Sequence, residues 1–94
     1  MHFVVYALDN RDTPDARDTH YPAHKAYMAA PTLAILMAGP LLDAQGAKPI
    51  GSMIVVEAKS LEEATAFACE DPFCRNGVWG EMTVRPYFKA TDNR

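Results

Sequence analysis

Hydrophobic and polar residues change their spacing along the chain, and each spacing predicts a different element. Residues 2–9 are apolar at odd and even positions alike, which is typical of a strand covered on both faces. Residues 33–39 and 52–58 are two further strand candidates. Residues 81–88 alternate between two sides, and Pro86 within them indicates an edge strand or a strand end. The pattern therefore predicts four strands.

A first helix is predicted between the first two strands. Pro22 suits the first turn of a helix, where its missing N–H costs nothing, and Pro31 must end or kink the helix. Residues 10–18 are polar and are predicted to form a loop before it. The residues at helical spacing in this segment are Ala23, Ala26, Tyr27 and Ala30.

A second helix is predicted over residues 60–70, followed by a short helical turn. Ser60 can cap the helix, and Glu63 three residues later completes a capping box. Asp71 directly before Pro72 is a good cap for a new turn, which Gly77 would end.

The elements follow the order β-α-β-β-α-β, with residues 39–51 predicted to form a hairpin connection. This order is typical of an α+β, ferredoxin-like domain, in which both helices cover one face of a four-stranded antiparallel sheet. The other face would then expose apolar side chains. A symmetric homodimer that stacks two sheets is the simplest way to cover it.

Length and charge narrow the class of protein. The 94 residues correspond to one domain, residues 1–94, and 49% of them are hydrophobic. The net charge of −3, without a basic run, disfavours a nucleic-acid partner. The N-terminus lacks the features of a signal peptide, and no segment is long enough to span a membrane, so a cytoplasmic location is predicted. Cys69 and Cys74 fit no CxxC motif and are expected to be free thiols.

His24 and Asp71 are the main candidates for chemistry. His24 lies at the edge of the predicted buried face, in one stripe with Tyr27 and Met28. It is either a partly buried structural histidine or a proton-transfer group. Asp71 is either a helix cap alone or a cap whose second oxygen orients an imidazole.

The other candidates each have a structural alternative. Ser52 opens a strand and either bonds a ligand or is a plain strand-end hydroxyl. Aromatic side chains either line a pocket for a planar ligand or belong to the core; these are Tyr6, Tyr27, Phe73 and Trp79. His20 and His24 are four residues apart, but Pro22 predicts that the helix begins after His20, so no metal site is expected. No phosphate or dinucleotide loop is present, and no cofactor is predicted.

Several motifs resemble the YCII-related (YciI-like) family of small α+β proteins. The resemblance covers nearly the whole chain and rests on the helix-one histidine, AGPLLD, the GS that opens the third strand, SLEEA, and DPF…GV…E…VRPY. In fold, that family resembles the dimeric α/β barrels that include muconolactone isomerase. The resemblance implies a homodimer with a cleft between helices and sheet.

The resemblance also implies a His–Asp active-site pair, which corresponds to His24 and Asp71. Many family members carry a basic residue three positions before the histidine, where this chain has Tyr21. Arg17 is the candidate to supply that charge. A few members are dehydrochlorinases of chlorinated aromatics.

Two functional hypotheses follow. The first is a cofactor-free lyase or isomerase that acts on a small aromatic or lactone-like molecule. In it, His24 and Asp71 form the catalytic pair, and the substrate-binding residues are Tyr27, Ser52, Phe73, Trp79 and Arg17. The alternative is a non-catalytic dimeric module that binds a small molecule or another protein.

Overall fold

A computed structural model describes all residues, 1–94, and contains four strands and three helices. None of the helices is both long and apolar enough to cross a bilayer. In chain order, the elements are β1 (His2–Asp9), α1 (Ala16–Ala29), β2 (Ala34–Leu42), β3 (Pro49–Glu57), α2 (Leu61–Glu70), α3 (Pro72–Arg75) and β4 (Trp79–Tyr87).

The strands form one antiparallel sheet in the order β2-β3-β1-β4. This is the predicted ferredoxin-like arrangement, in which β1 and β3 occupy the centre. β4 is an edge strand, as Pro86 indicated, because proline cannot donate a hydrogen bond to a second neighbour. Val5 on β1 faces Ile54 on β3 and Val84 on β4, so this layer of side chains continues across three strands.

The core lies between one face of the sheet and the helices. Fully buried Phe3, Val5 and Val56 come from the sheet, while Phe67 and Phe73 come from α2 and α3. Side chains alternate between the two faces of a strand, so every second residue of β1 points into this core. Residues 3, 5 and 7 are accordingly buried. Helix α1 contributes no fully buried residue, and only its partly buried side chains pack against the core.

The opposite face of the sheet has no helix over it. The apolar side chains of this open face come from residues paired across the strands: Val4, Tyr6, Met37, Met53 and Val55. The C-terminal residues Lys89 and Thr91–Arg94 border it, and together with part of the open face they line a cavity of about 330 Å³. The prediction of an apolar face outside the helical layer is therefore confirmed.

Helix α1 begins at Ala16, six residues before the predicted start at Pro22. The prediction of a loop over residues 10–18 was wrong for its last three residues, and Pro22 lies inside the helix. The missing N–H of Pro22 removes one helical hydrogen bond. The first turn is held instead by tertiary contacts, because the Arg17 guanidinium bonds to Asp9 on β1 and to Ser52 on β3.

The face of α1 that turns inward also differs from the expected one. Ala23, Ala26 and Ala30 are exposed. The partly buried positions recur at helical spacing as Ala16, Arg17, His20, His24, Tyr27 and Met28. Hydrophobic periodicity predicted the wrong inward face for α1, because the stripe of α1 that faces the protein is largely polar. Polar side chains on an inward helix face are typical of a functional site.

The predicted caps and turns have the expected chemistry. The Ser60 hydroxyl accepts a hydrogen bond from the backbone N–H of Glu63, whereas the Glu63 carboxylate bonds to the N–H of Lys59 rather than that of Ser60. Strands β2 and β3 form the predicted hairpin but are longer than expected, so the connection is only residues 43–48. Gly77, with φ +70°, follows α3 as predicted.

Gly51 should tolerate no side chain, because a Cβ atom there would overlap the carbonyl oxygen of Ala7 on the neighbouring strand. We expect Gly51→Ala to lower the free energy of unfolding by about 1–3 kcal/mol through forced backbone movement. Gly39→Ala is the matched control, since a Cβ on this strand residue meets no atom within 4 Å. Urea denaturation of both variants measures the difference, and equal stabilities would contradict the prediction.

Candidate active site

Asp71 occupies the junction between α2 and α3. The proline after it disfavours helical backbone at Asp71, whose φ of −59° and ψ of 132° are extended. Its backbone N–H bonds to Ala68 at the end of α2, and its carboxylate accepts from the N–H of Phe73 at 2.9 Å. The Asp-Pro step thus ends one helix, caps the next and holds a carboxylate in a fixed position.

The carboxylate of Asp71 is fully buried, with 0% of the side chain exposed, and it contacts the imidazole of His24. Nδ1 of His24 lies 2.8 Å from Oδ1 and 2.9 Å from Oδ2 of Asp71, across 47 residues of sequence. Together with the N–H of Phe73, this contact gives the buried carboxylate hydrogen-bond partners, without which its burial would be costly.

The ring of Phe73 fixes the plane of the imidazole. The two rings stack with centroids 4.0 Å apart and planes 3° from parallel. Because Asp71 limits rotation within the plane and Phe73 limits tilting, the imidazole has one defined orientation. This preorganisation is a property expected of a group that transfers a proton.

The hydrogen bonds also define which ring nitrogen carries the proton. A carboxylate that accepts from the Phe73 N–H is an acceptor towards His24 as well, so Nδ1 is the donor. In the neutral ring, Nε2 is then unprotonated, and it has no hydrogen-bond partner within the chain. His24 lines a cavity, so a molecule bound there meets a ring nitrogen that can accept a proton.

Arg17, one helical turn before Tyr21, joins α1 to the sheet. Its Nε and Nη2 bond to the two oxygens of Asp9 at 2.7 and 2.9 Å. Nη2 also lies 2.8 Å from the carbonyl oxygen of Gly51 and 2.8 Å from Oγ of Ser52. The guanidinium sits 4.7 Å from the centre of the Phe73 ring, within cation–π range.

These groups border a cavity of about 470 Å³ between α1 and the β2–β3 half of the sheet. That volume is within the range of small-molecule sites. Its polar lining consists of Arg17, Asp18, Tyr21, His24, Lys25 and Ser52. The apolar lining comes from Met28, Ala38, Gly39, Pro40, Pro49 and Ile54. The cavity therefore offers both polar groups and an apolar wall to a small ligand.

Three of the predicted substrate-binding residues lie behind this lining rather than in it. Phe73 is fully buried beneath His24, and Trp79 donates from Nε1 to Ser52 at 3.2 Å. The hydroxyl of Tyr27 donates to the carbonyl oxygen of Phe67 at 2.8 Å. None of these three aromatic side chains is part of the cavity lining, and each instead bonds or packs against neighbouring groups of the protein. Tyr6 lies on the open face of the sheet.

Two nearby titratable groups are poor candidates for chemistry near neutral pH. Burial, with smaller contributions from the charges of Glu70 and Asp71, raises the pKa of Tyr27 to about 12. Burial and the neighbouring Cys69 raise the pKa of the Cys74 thiol, which lowers the fraction of nucleophilic thiolate. Both cysteines are free.

His20 lies within α1, so the argument that Pro22 excluded it from the helix was wrong. The two histidines are truly one turn apart. Nδ1 of His24 is occupied by Asp71, however, and no cluster of three or more His, Cys, Asp and Glu side chains is arranged to hold a metal ion.

Several residues of this candidate site gave no sequence signal. Asp9 was predicted only as the last residue of the first strand, and the structure shows that its carboxylate pairs with Arg17. Asp18 and Lys25 reach the cavity only because α1 begins at Ala16. Arg17, Tyr21 and His24 are spaced i, i+4, i+7. A search for polar residues at this helical spacing would have identified the face of α1 that borders the cavity.

Comparison with known proteins places the chain among small proteins of one family. The model of the YCII-related domain matches residues 1–88. Protein YciI of Escherichia coli O6:H1 is 33% identical over 97 residues, which cover 96% of this chain and 99% of that protein. Protein YciI of Shigella flexneri has the same identity and coverage.

A solved structure with the same fold carries a ligand. It is 5-chloro-2-hydroxyhydroquinone dehydrochlorinase (TftG) from Burkholderia phenoliruptrix AC1100 in complex with 2,5-dihydroxybenzoquinone. The TM-score is 0.83 and the identity 29%, over 94% of each chain. This similarity is consistent with the dimeric α/β barrel superfamily.

Asp71→Asn should change the tautomer of His24. An amide NH₂ facing Nδ1 acts as donor, so the ring proton is expected to move to Nε2. Long-range ¹H–¹⁵N correlation spectra at neutral pH distinguish the two tautomers. Glu70→Gln is the control, because Glu70 makes no hydrogen bond to His24. A wild-type ring with its proton on Nε2 would contradict the assignment.

Proposed function

Since the chain belongs to the YCII-related domain family, we propose that it is an enzyme that transfers a proton on a small cyclic molecule, aromatic or lactone-like. His24 is the catalytic residue in this proposal. Asp71 is a positioning residue that acts through the imidazole. The observation that carries the proposal is the fixed ring of His24, bonded at Nδ1 and unpaired at Nε2, on the wall of a ligand-sized cavity.

The reaction class follows from what an imidazole base can do. Nε2 removes a proton from the bound molecule, and the electron pair left behind has two outcomes. It forms a double bond as a leaving group such as chloride departs, which is a lyase reaction, or it is protonated at another atom, which is an isomerisation. Positioned acid–base catalysis of this kind typically contributes about 10²–10⁴ in rate, and it requires no cofactor.

The neighbouring structure supports the lyase branch. TftG is a dehydrochlorinase, and loss of hydrogen chloride from a ring is the removal of a proton and a chloride. Its ligand, 2,5-dihydroxybenzoquinone, is a single ring with oxygen substituents. In this chain, Arg17 and Ser52 are suited to hold such substituents, and Met28 and Ile54 offer apolar surface to the ring.

His24→Ala should abolish turnover. The test screens chlorinated hydroquinones and unsaturated five-membered lactones, following chloride release and ultraviolet absorbance. Any activity found with the wild type is expected to fall by about 10²–10⁴ in the variant. His20→Ala is the matched control on the same helix, because His20 neither contacts Asp71 nor lines the cavity. Undiminished turnover in His24→Ala would reject the proposal in favour of a binding module.

The proposal includes a homodimer formed through the open face. Val4, Tyr6, Met53 and Val55 give this face an apolar centre, and no helix of the chain covers it. A second copy is the occupant that the fold favours, because a two-fold axis brings identical apolar centres together. The free thiols of Cys69 and Cys74 suit a reducing compartment, so a cytoplasmic location is part of the proposal.

Tyr6→Glu should dissociate the dimer, because it places a charge at the centre of the stacked sheets. Leu61→Glu is the control, since Leu61 on α2 is 42% exposed, compared with 47% for Tyr6, but lies in the helical layer. Multi-angle light scattering at micromolar concentration measures the mass. A monomeric wild type would contradict the proposed dimer, and a dimeric Tyr6→Glu would contradict the proposed surface.

A further inference from the structure

We propose that Tyr27 is a positioning residue, whose hydroxyl joins α1 to the end of α2 and thereby holds the His24 imidazole against Asp71. This inference rests on the proposed function, because such positioning serves a reaction only if His24 transfers a proton. The observation behind it is that α1 contacts one helix junction at two points. His24 bonds to Asp71, and Tyr27 bonds to the backbone carbonyl of Phe67.

The junction leaves the carbonyl of Phe67 without its usual partner. In a regular helix, this carbonyl would accept from the N–H four residues later, which belongs to Asp71. The extended backbone of Asp71 instead directs that N–H to the carbonyl oxygen of Ala68, at 3.3 Å. The hydroxyl of Tyr27 donates to the carbonyl of Phe67 at 2.8 Å and so satisfies one of the unpaired carbonyls at the end of α2.

The same break in the helix therefore places the Asp71 carboxylate opposite His24 and creates the acceptor for Tyr27. His24 and Tyr27 are three residues apart on α1, a spacing that puts them on one face of the helix. The rings of Tyr27 and Phe67 also stack, with centroids 5.2 Å apart. The two contacts form side by side, and together they fix one pairing of α1 with the junction.

The hydroxyl of Tyr27 is a donor throughout the neutral and moderately alkaline pH range. Burial, with smaller contributions from the charges of Glu70 and Asp71, raises the pKa of Tyr27 to about 12. The carbonyl of Phe67 can only accept, so the hydroxyl proton lies in this bond. Tyr27 thus contributes a fixed attachment and not a titrating group.

Helix α1 requires such an attachment because apolar burial does not fix its position. It contributes no fully buried residue. Its other polar attachment to the body of the protein is Arg17, but Pro22 lies between Arg17 and His24 and removes a helical hydrogen bond there. Tyr27 is the last residue of α1 with a polar side chain. Its bond is therefore the polar contact that holds the helix beyond His24.

Loss of this hydroxyl should loosen the contact between His24 and Asp71 while leaving the cavity lining intact. Tyr27 is not part of the lining, so Tyr27→Phe removes no group that a bound molecule would touch. We expect kcat to fall about tenfold, because proton transfer depends on the orientation of the imidazole, and KM to change little. Steady-state kinetics with a substrate found in the His24 screen measures both constants.

The deciding measurement needs no substrate. The Nδ1 proton of ¹⁵N-labelled His24 is observed by proton NMR at neutral pH, where its hydrogen bond to Asp71 moves the signal downfield. In Tyr27→Phe we expect this signal to move upfield, since the bond becomes longer or is broken part of the time. A loss of stability alone would not move it, because the signal comes from the folded molecule. Trp79 fluorescence reports whether each variant remains folded.

Thr13→Val is the matched control. The Thr13 hydroxyl also donates to a backbone carbonyl, that of Gly77 at 3.3 Å, and it joins the segment before α1 to the residue after α3. It makes no hydrogen bond to His24 or Asp71, so its loss should leave both the Nδ1 signal and kcat unchanged. Replacing Tyr27 by 4-aminophenylalanine keeps a weaker donor at the same position, and the signal should then move only part of the way.

Four outcomes would overturn the inference. They are an unmoved Nδ1 signal in Tyr27→Phe, an equal movement in Thr13→Val, a movement with 4-aminophenylalanine as large as that with phenylalanine, and a raised KM with unchanged kcat. If Tyr27→Phe does not fold, the 4-aminophenylalanine variant decides, and an unmoved signal in it overturns the inference. Undiminished turnover in His24→Ala rejects the proposed function without affecting the NMR result, so the two proposals can fail separately.

Discussion

The buried carboxylate of Asp71 is the constraint on which the site depends. It has no access to water, so its stability requires donors from the protein. The Phe73 N–H and the His24 imidazole supply them, which ties the start of α3 to the middle of α1. One requirement of folding, the pairing of a buried charge, thereby positions the ring that the proposed chemistry uses.

A second network, around Arg17, works with the first. The guanidinium connects α1 to β1 and β3 and lies over the ring of Phe73, which also stacks against the imidazole of His24. Arg17 and His24 therefore share one aromatic support. The two networks explain how α1, which has no fully buried residue, is nevertheless held in place: its inward stripe is fixed by directional polar contacts more than by apolar burial.

The two faces of the sheet divide the roles of the molecule. The helical face holds the core and the cavity, and the open face carries the apolar residues through which a second copy is proposed to bind. Alternation along β1 places Phe3 and Val5 on the first face and Val4 and Tyr6 on the second. The apolar run of this strand is continuous because its side chains contribute to two different apolar surfaces. Periodicity alone therefore could not show which of the two faces is covered by helices and which is open.

The sequence by itself determined the element order, the bounds of β1, the Ser60 cap and the Asp71-Pro72 turn, because each depends on residues within a few positions of one another. It also carried the pairing of His24 with Asp71, through motifs that resemble a known family.

The tertiary structure decided where α1 begins, which of its faces turns inward, and which aromatics reach the cavity. Those features depend on contacts such as Arg17 with Ser52, which lie 35 residues apart and exist only after the sheet has formed. A polar stripe is stable on an inward helix face only when distant partners satisfy it, and local hydrophobic spacing contains no record of those partners.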